Sequence, residues 1–177
     1  MSEKKDLYGK AKGEMRLSEK IWAEIPGFRG YKEKELRRES DRLVRDGIYQ
    51  RLSKARSDLK EVFQTLSDQK LQEVLVKMDR LIMGFDRVME KVNHASYGYA
   101  GFFNIVKIDE EKLDKMLAFD GGLVDNANTI IEEAKAFKKE VTDGKFEDAM
   151  EQIKKIDESL SSLEDVFDTR KEAILEG

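Results

Sequence analysis

The sequence predicts an all-α protein, an elongated antiparallel up-down bundle of about four to five long helices, and three observations lead there. Apolar residues recur at helical spacing along most of the 177 residues, charged and apolar residues each make up 40% of the chain, and proline occurs once. A chain of this length can bury one sizeable core, so residues 1–177 are expected to form a single helical-bundle domain.

Taken in order, Tyr8, Ala11, Met15, Trp22 and Ile25 set a first helical stripe, diluted by Gly9 and Gly13. It ends at Ile25-Pro26-Gly27-Phe28, where Pro followed by Gly suits a type II turn. A long helix is expected from near Tyr31 to about Ser67. Its apolar face moves from Leu36, Leu43 and Val44 to a different azimuth for Ile48, Leu52, Ala55 and Leu59. Asp46-Gly47 stands at the change, which predicts a kink or break there. From Leu71 the pattern is clearest: Leu71, Met78, Phe85 and Val92 recur every seven residues. Val74, Leu81 and Val88 follow three places on, and Leu75, Ile82 and Met89 widen the stripe into a broad buried face reaching His94. Asp109 is a suitable N-cap for the next helix, which turns Leu113, Met116, Leu123, Ala127, Ile130, Ala134, Phe137 and Val141 to one side, with Gly121-Gly122 as a flaw. Asp143-Gly144 is a turn. A last helix from Lys145 to Leu175 then carries Phe146, Met150, Ile153, Ile156, Leu160, Leu163 and Phe167 in coiled-coil-like rhythm. If every connection reverses the chain, the turn at 25–30 and the connection at 95–108 meet at one end of the bundle.

Composition excludes several classes of chemistry. Absence of cysteine removes disulfides, thiolate catalysis, zinc fingers and iron–sulfur clusters together. No stretch approaches the roughly 20 apolar residues of a membrane span. The opening Met1-Ser-Glu-Lys-Lys-Asp lacks the apolar core of a signal peptide, so a cytoplasmic location is expected. Few Asn and Gln beside many Lys, Glu and Arg suit a heat-loving organism. The formal charge of −4 conceals an asymmetry: residues 1–107 carry 23 Lys and Arg against 17 Asp and Glu, and residues 108–177 carry 10 against 20. A local basic patch is therefore compatible with the first part of the chain only.

Two segments are less generic than the rest. Lys34, Arg38, Arg42 and Arg45 fall within about 80° of one another on a helix and are flanked by Tyr31 and Tyr49, an arrangement suited to phosphate contact beside stacking. The competing and favoured reading is a solvated face held by Glu33–Arg37 and Asp41–Arg45 pairs. The connection His94-Ala-Ser-Tyr97-Gly-Tyr99-Ala-Gly-Phe102-Phe-Asn104 has more aromatic surface than a linker needs, so it either lids the bundle or receives a partner. Together these give Phe28, Arg29, Tyr31, Lys34, Arg38, Arg42, Arg45, Tyr97, Tyr99 and Phe102 as a candidate binding surface.

His94 stands four residues after Glu90 and eight after Asp86, but the heptad puts all three on the polar side. No metal site, cofactor or catalytic set is expected. Asp120 is the one carboxylate that the heptad through Leu113 and Ala127 points inward. There it must find partners, unless the double glycine breaks the helix and turns it to water.

The run Ile25-Pro-Gly-Phe-Arg-Gly-Tyr-Lys-Glu-Lys-Glu-Leu-Arg-Arg-Glu-Ser-Asp41, with Tyr97-Gly-Tyr-Ala-Gly-Phe-Phe103 and Leu113 to Asp120, resembles a small family of prokaryotic, archaeal or bacterial, helical proteins with no assigned activity. The resemblance brings no catalytic residues. The expected function is a non-enzymatic scaffold or adaptor that binds another macromolecule, most simply a protein, through the Gly- and aromatic-rich end. An anionic-ligand binder or enzyme with its pocket at that end is the first alternative, and peripheral contact with an anionic membrane surface or weak contact with nucleic acid the next. A homo-oligomer is compatible with all of these.

Overall fold

The computed structural model describes residues 19–31, 34–95, 104 and 107–175, the side chains of 34–36 and 173–175 excepted. Among them are four long helices, α1 (Lys34–Asp68), α2 (Gln72–His94), α3 (Glu110–Thr142) and α4 (Ala149–Leu175), and a helical stretch at 19–24 that leads into the turn before α1. No strand occurs among the described residues. The protein is an all-α bundle, and no described helix is long and apolar enough to cross a membrane.

Helix ends follow from local chemistry. The Asp109 carboxylate accepts from the Lys112 amide at 2.8 Å and caps α3, as its position predicts. At the other end of α3, Lys145 N–H donates to Glu140 O, with Gly144 at φ +77° supplying the left-handed residue that closes the helix. Residues 145–148 lie outside any helix, so the last helix starts at Ala149 rather than Lys145. Ala149 is buried and Met150 exposed, which moves one residue of the expected stripe.

Around the bundle the helices run α1, α2, α4, α3: α1 packs on α2 and α3, and α4 on both. Consecutive helices are antiparallel. The α2 and α3 helices stand diagonally opposite, so α1 and α3 are parallel neighbours, with Arg51 beside Asn128 and Asp58 beside Lys138. The α2 and α4 helices are likewise parallel, with Leu160 against Gly84 and Glu164 beside Lys91.

Residues 19–31 lie in the groove between parallel α1 and α3. Ile21, Ile25, Phe28 and Tyr31 are buried there. Glu24 accepts from Arg51 at 2.9 Å and from Asn128 at 3.2 Å, and Lys20 pairs with Asp125. Trp22, expected on the inner stripe, is 52% exposed, because Ile21 and Ile25 take the inner positions four residues apart. No break occurs at Gly47, which lies inside the unbroken α1. A Cβ at that position would stand 2.3 Å from Ile25 Cδ1, so the glycine serves close approach of the leading segment. Gly121-Gly122 likewise leaves α3 intact.

Candidate functional site

The α1 N-terminus, α2 C-terminus, α3 N-terminus and α4 C-terminus share one end of the bundle, and every buried polar or charged side chain among the described residues sits in that part of it. These are Arg37, Ser40, Asp41, Arg45, Asp120 and Arg170. On α1 they extend the inner face of Val44, Ile48 and Leu52 upward, with Asp41 and Arg45 one turn apart. On α4, Arg170 stands three residues beyond Phe167 on the same face. On α3, Asp120 is fully buried because the helix continues through the two glycines.

These side chains bond to one another. Tyr31 Oη donates to Asp120 Oδ2 at 2.6 Å, and Arg170 Nε donates to Asp120 Oδ1 at 2.7 Å. Arg170 Nη2 reaches both Tyr31 Oη at 3.1 Å and Asp41 Oδ1 at 2.9 Å. Asp41 Oδ2 accepts from Arg45 Nε at 2.9 Å, and Arg45 Nη1 donates to Asn93 O at 3.1 Å, capping the C-terminal turn of α2. Around Tyr31, Arg37 Nε donates to its carbonyl at 3.0 Å, Ser40 Oγ donates to Gly30 O at 2.9 Å, and the Phe28 ring meets the Tyr31 ring edge-on with centroids 5.6 Å apart. One polar cluster thus joins the leading segment and all four helices.

Burial fixes the protonation states by opposing effects. It pushes the Asp120 carboxyl above its ordinary range, while the Arg170 charge and the hydrogen bonds from Tyr31 and Arg170 pull it back. Burial and then the adjoining Asp120 charge push the Tyr31 hydroxyl well up, so it keeps its proton and acts as the donor. Burial lowers Arg37, yet a guanidinium stays charged. Burying so many charges is tolerable only because each carboxylate oxygen of Asp41 and Asp120 accepts a hydrogen bond.

The expected binding surface is divided by this arrangement. Phe28, Tyr31 and Arg45 are core residues here and cannot present themselves to a partner, because their polar atoms and rings are engaged inside the bundle. The Asp41–Arg45 pair expected on a solvated face forms in the interior instead. Arg29, Arg38 and Arg42 are exposed, and Arg38 Nη2 donates to Asn104 Oδ1 at 3.4 Å, which places Asn104 beside the start of α1. The side chain of Lys34 and residues Tyr97, Tyr99 and Phe102 lie outside the described residues. His94 pairs with Glu90 at 2.9 Å on the surface, and no group of three His, Cys, Asp or Glu suited to a metal occurs among the described residues.

Sequence reading pointed Asp120 inward, but it set Tyr31 and Arg45 on the binding surface and missed Arg37, Ser40, Asp41 and Arg170 as interior groups. The usable signal was positional: each lies where an apolar stripe would continue by steps of three or four. Comparison of the chain with family models, curated proteins and solved structures finds no match.

Proposed function

We propose that this protein is a non-enzymatic helical adaptor that binds a protein partner through the end of the bundle that carries the turn at 25–31 and Asn104. The supporting observation is the closed polar cluster beneath that end. Tyr31, Asp41, Asp120 and Arg170, the groups a reaction there would draw on, are all at most 2% exposed and are hydrogen-bonded within the cluster. What remains outward is a rigid mount with Arg29, Arg38 and Arg42 on its surface. Surface cations of this kind serve recognition of an acidic partner surface and its rate of capture more than they serve chemistry.

The test is photo-crosslinking in cells that make the protein, with a photoreactive residue at position 42 or, as a control, at exposed Gln64 near the opposite end. A protein adduct from position 42 that is absent from position 64, and that disappears in an Arg29→Glu, Arg38→Glu background, is the expected outcome. Adducts with nucleic acid or lipid alone, equal adducts from both positions, or none would overturn the proposal.

A further inference from the structure

The bundle has two grooves between parallel neighbours, and they are treated differently. The groove between α1 and α3 is filled by residues 19–31, with Ile21 and Ile25 as its buried contacts. The groove between α2 and α4 divides into halves. Towards the polar end it is closed by ion pairs: Lys91 bonds to Glu164 at 2.7 Å and to Asp168 at 2.8 Å, and Arg87 also bonds to Glu164. Towards the other end it opens as a cleft of about 670 Å³ floored by Leu81 and Ile153.

The walls of the open half carry charges of opposite sign. Lys154 on the α4 side pairs with Glu158 of its own helix at 3.6 Å; the other charges are Lys77 and Arg80 on the α2 side and Glu151 and Asp157 on the α4 side. None of these four makes an ion pair among the described residues, in contrast to the cross-helix pairs a few turns further along. Three of the four large apolar side chains exposed on the described surface belong to these same two helices: Val76 and Met83 on α2 and Met150 on α4. At helical spacing Val76 and Met83 are seven residues apart and lie beside Arg80 on the outer edge of the cleft.

We infer that this open α2/α4 face is a self-association surface, on which a second copy of the chain packs about a two-fold axis parallel to the bundle. That axis sets α2 of each copy against α4 of the other at the same height, because the two helices run parallel and the cleft residues of both share one level. Lys77 and Arg80 then face the partner's Glu151 and Asp157, twice per dimer, over a strip of Val76, Met83 and Met150. A perpendicular two-fold axis would set α2 on α2 and bring like charges together, so charge alone selects the parallel arrangement. With the ion-paired half counted as well as the open half, a strip two helices wide and about 35 Å long covers roughly 700 Å² per copy, just under the 800 Å² of a standard specific interface, so the association is weak and concentration-dependent. It lies on a different face from the adaptor end and does not depend on that reading.

Sedimentation velocity of the full chain over a concentration series tests this, with two charge-reversed variants whose sites are all exposed. Wild type is expected to show a monomer–dimer equilibrium. Lys77→Glu, Arg80→Glu and Glu151→Lys, Asp157→Lys should each dimerise at least roughly tenfold more weakly alone. Mixed one to one they should form a heterodimer, since each then offers the sign the other lacks, and that recovery also shows both variants are folded. Wild type that stays monomeric throughout, dimerisation unchanged by either reversal, or no heterodimer on mixing would each overturn the inference. Binding only of a foreign amphipathic helix to the cleft would do the same.

Discussion

The two ends of the bundle solve the same packing problem with different materials. Away from the turn at 25–31, the positions that face inward are Leu59, Val62, Leu66, Met78, Ile130, Phe137, Val141 and Ile153, all apolar and held by burial alone. At the other end, Arg37, Asp41, Arg45, Asp120 and Arg170 occupy the equivalent inward positions and are held by a connected set of hydrogen bonds. An apolar core tolerates many arrangements of roughly the right volume, whereas a buried charge is tolerated only beside its own partners. The polar end therefore trades stability for definition: it fixes where the leading segment sits, while the apolar end supplies the free energy.

The contrast is sharpest under single truncation. Asp120→Ala leaves Arg170 buried without one of its carboxylates and Tyr31 without its acceptor, and should cost on the order of 3 to 5 kcal/mol in urea unfolding. Leu52→Ala in the apolar stretch of α1 should cost a similar amount, about 2 to 5 kcal/mol, through an empty cavity instead. The mechanisms separate in Asp120→Asn, which keeps the volume but loses the charge: it should remain clearly destabilised. A cost within 0.5 kcal/mol, about the level of a surface change, would break the comparison.

Gly47 in α1 and Gly122 in α3 form a second pair. Gly47→Ala should destabilise by about 1 to 3 kcal/mol, because the new methyl meets the buried end of Ile25 and displaces the leading segment. Gly122→Ala meets nothing closer than Val166 Cγ1 at 3.8 Å, so it should stabilise by roughly 0.5 to 1 kcal/mol through helix propensity. Thermal melts of both variants decide it, and equal responses would show that Gly47 is not a packing glycine.

A smaller effect is expected at alkaline pH. The Tyr31 hydroxyl is raised well above 10.0 in the folded state, so above that pH the unfolded chain releases a proton that the folded one keeps, and stability falls as pH rises. Below it this contribution is fully present. Tyr31→Phe should flatten that part of the pH–stability profile relative to wild type, and unchanged steepness would place the alkaline response elsewhere.

Much of the fold was legible because apolar spacing is dense where burial does the work. The faces of α2 and α3, the Asp109 cap, the turn at Asp143-Gly144 and the side of α3 on which Asp120 lies all follow from periodicity and capping chemistry. The polar end was only half legible, for the same physical reason that it is distinctive. Arg37, Asp41 and Arg45 continue the buried face of α1, but charge on a helix is ordinarily read as solvent-facing, so the apolar residues next to them gave the impression of a rotated face and of a break at Gly47. Ile21 and Trp22 show the limit on a short segment: neighbouring apolar side chains point about 100° apart, and the groove between α1 and α3 decides which one is buried.

The claim that the polar cluster fixes position, while burial elsewhere supplies stability, is tested most directly by amide hydrogen exchange on the Tyr31→Phe, Asp120→Leu, Arg170→Met triple variant. Replacing a buried polar set by apolar groups of similar size is often neutral or stabilising, and Asp41 keeps its bond from Arg45. The expected result is a global unfolding free energy equal to or above that of wild type, with protection of residues 19–31 reduced while α1 to α4 stay protected. Residues 19–31 as well protected as in wild type, or a global loss of stability, would contradict it.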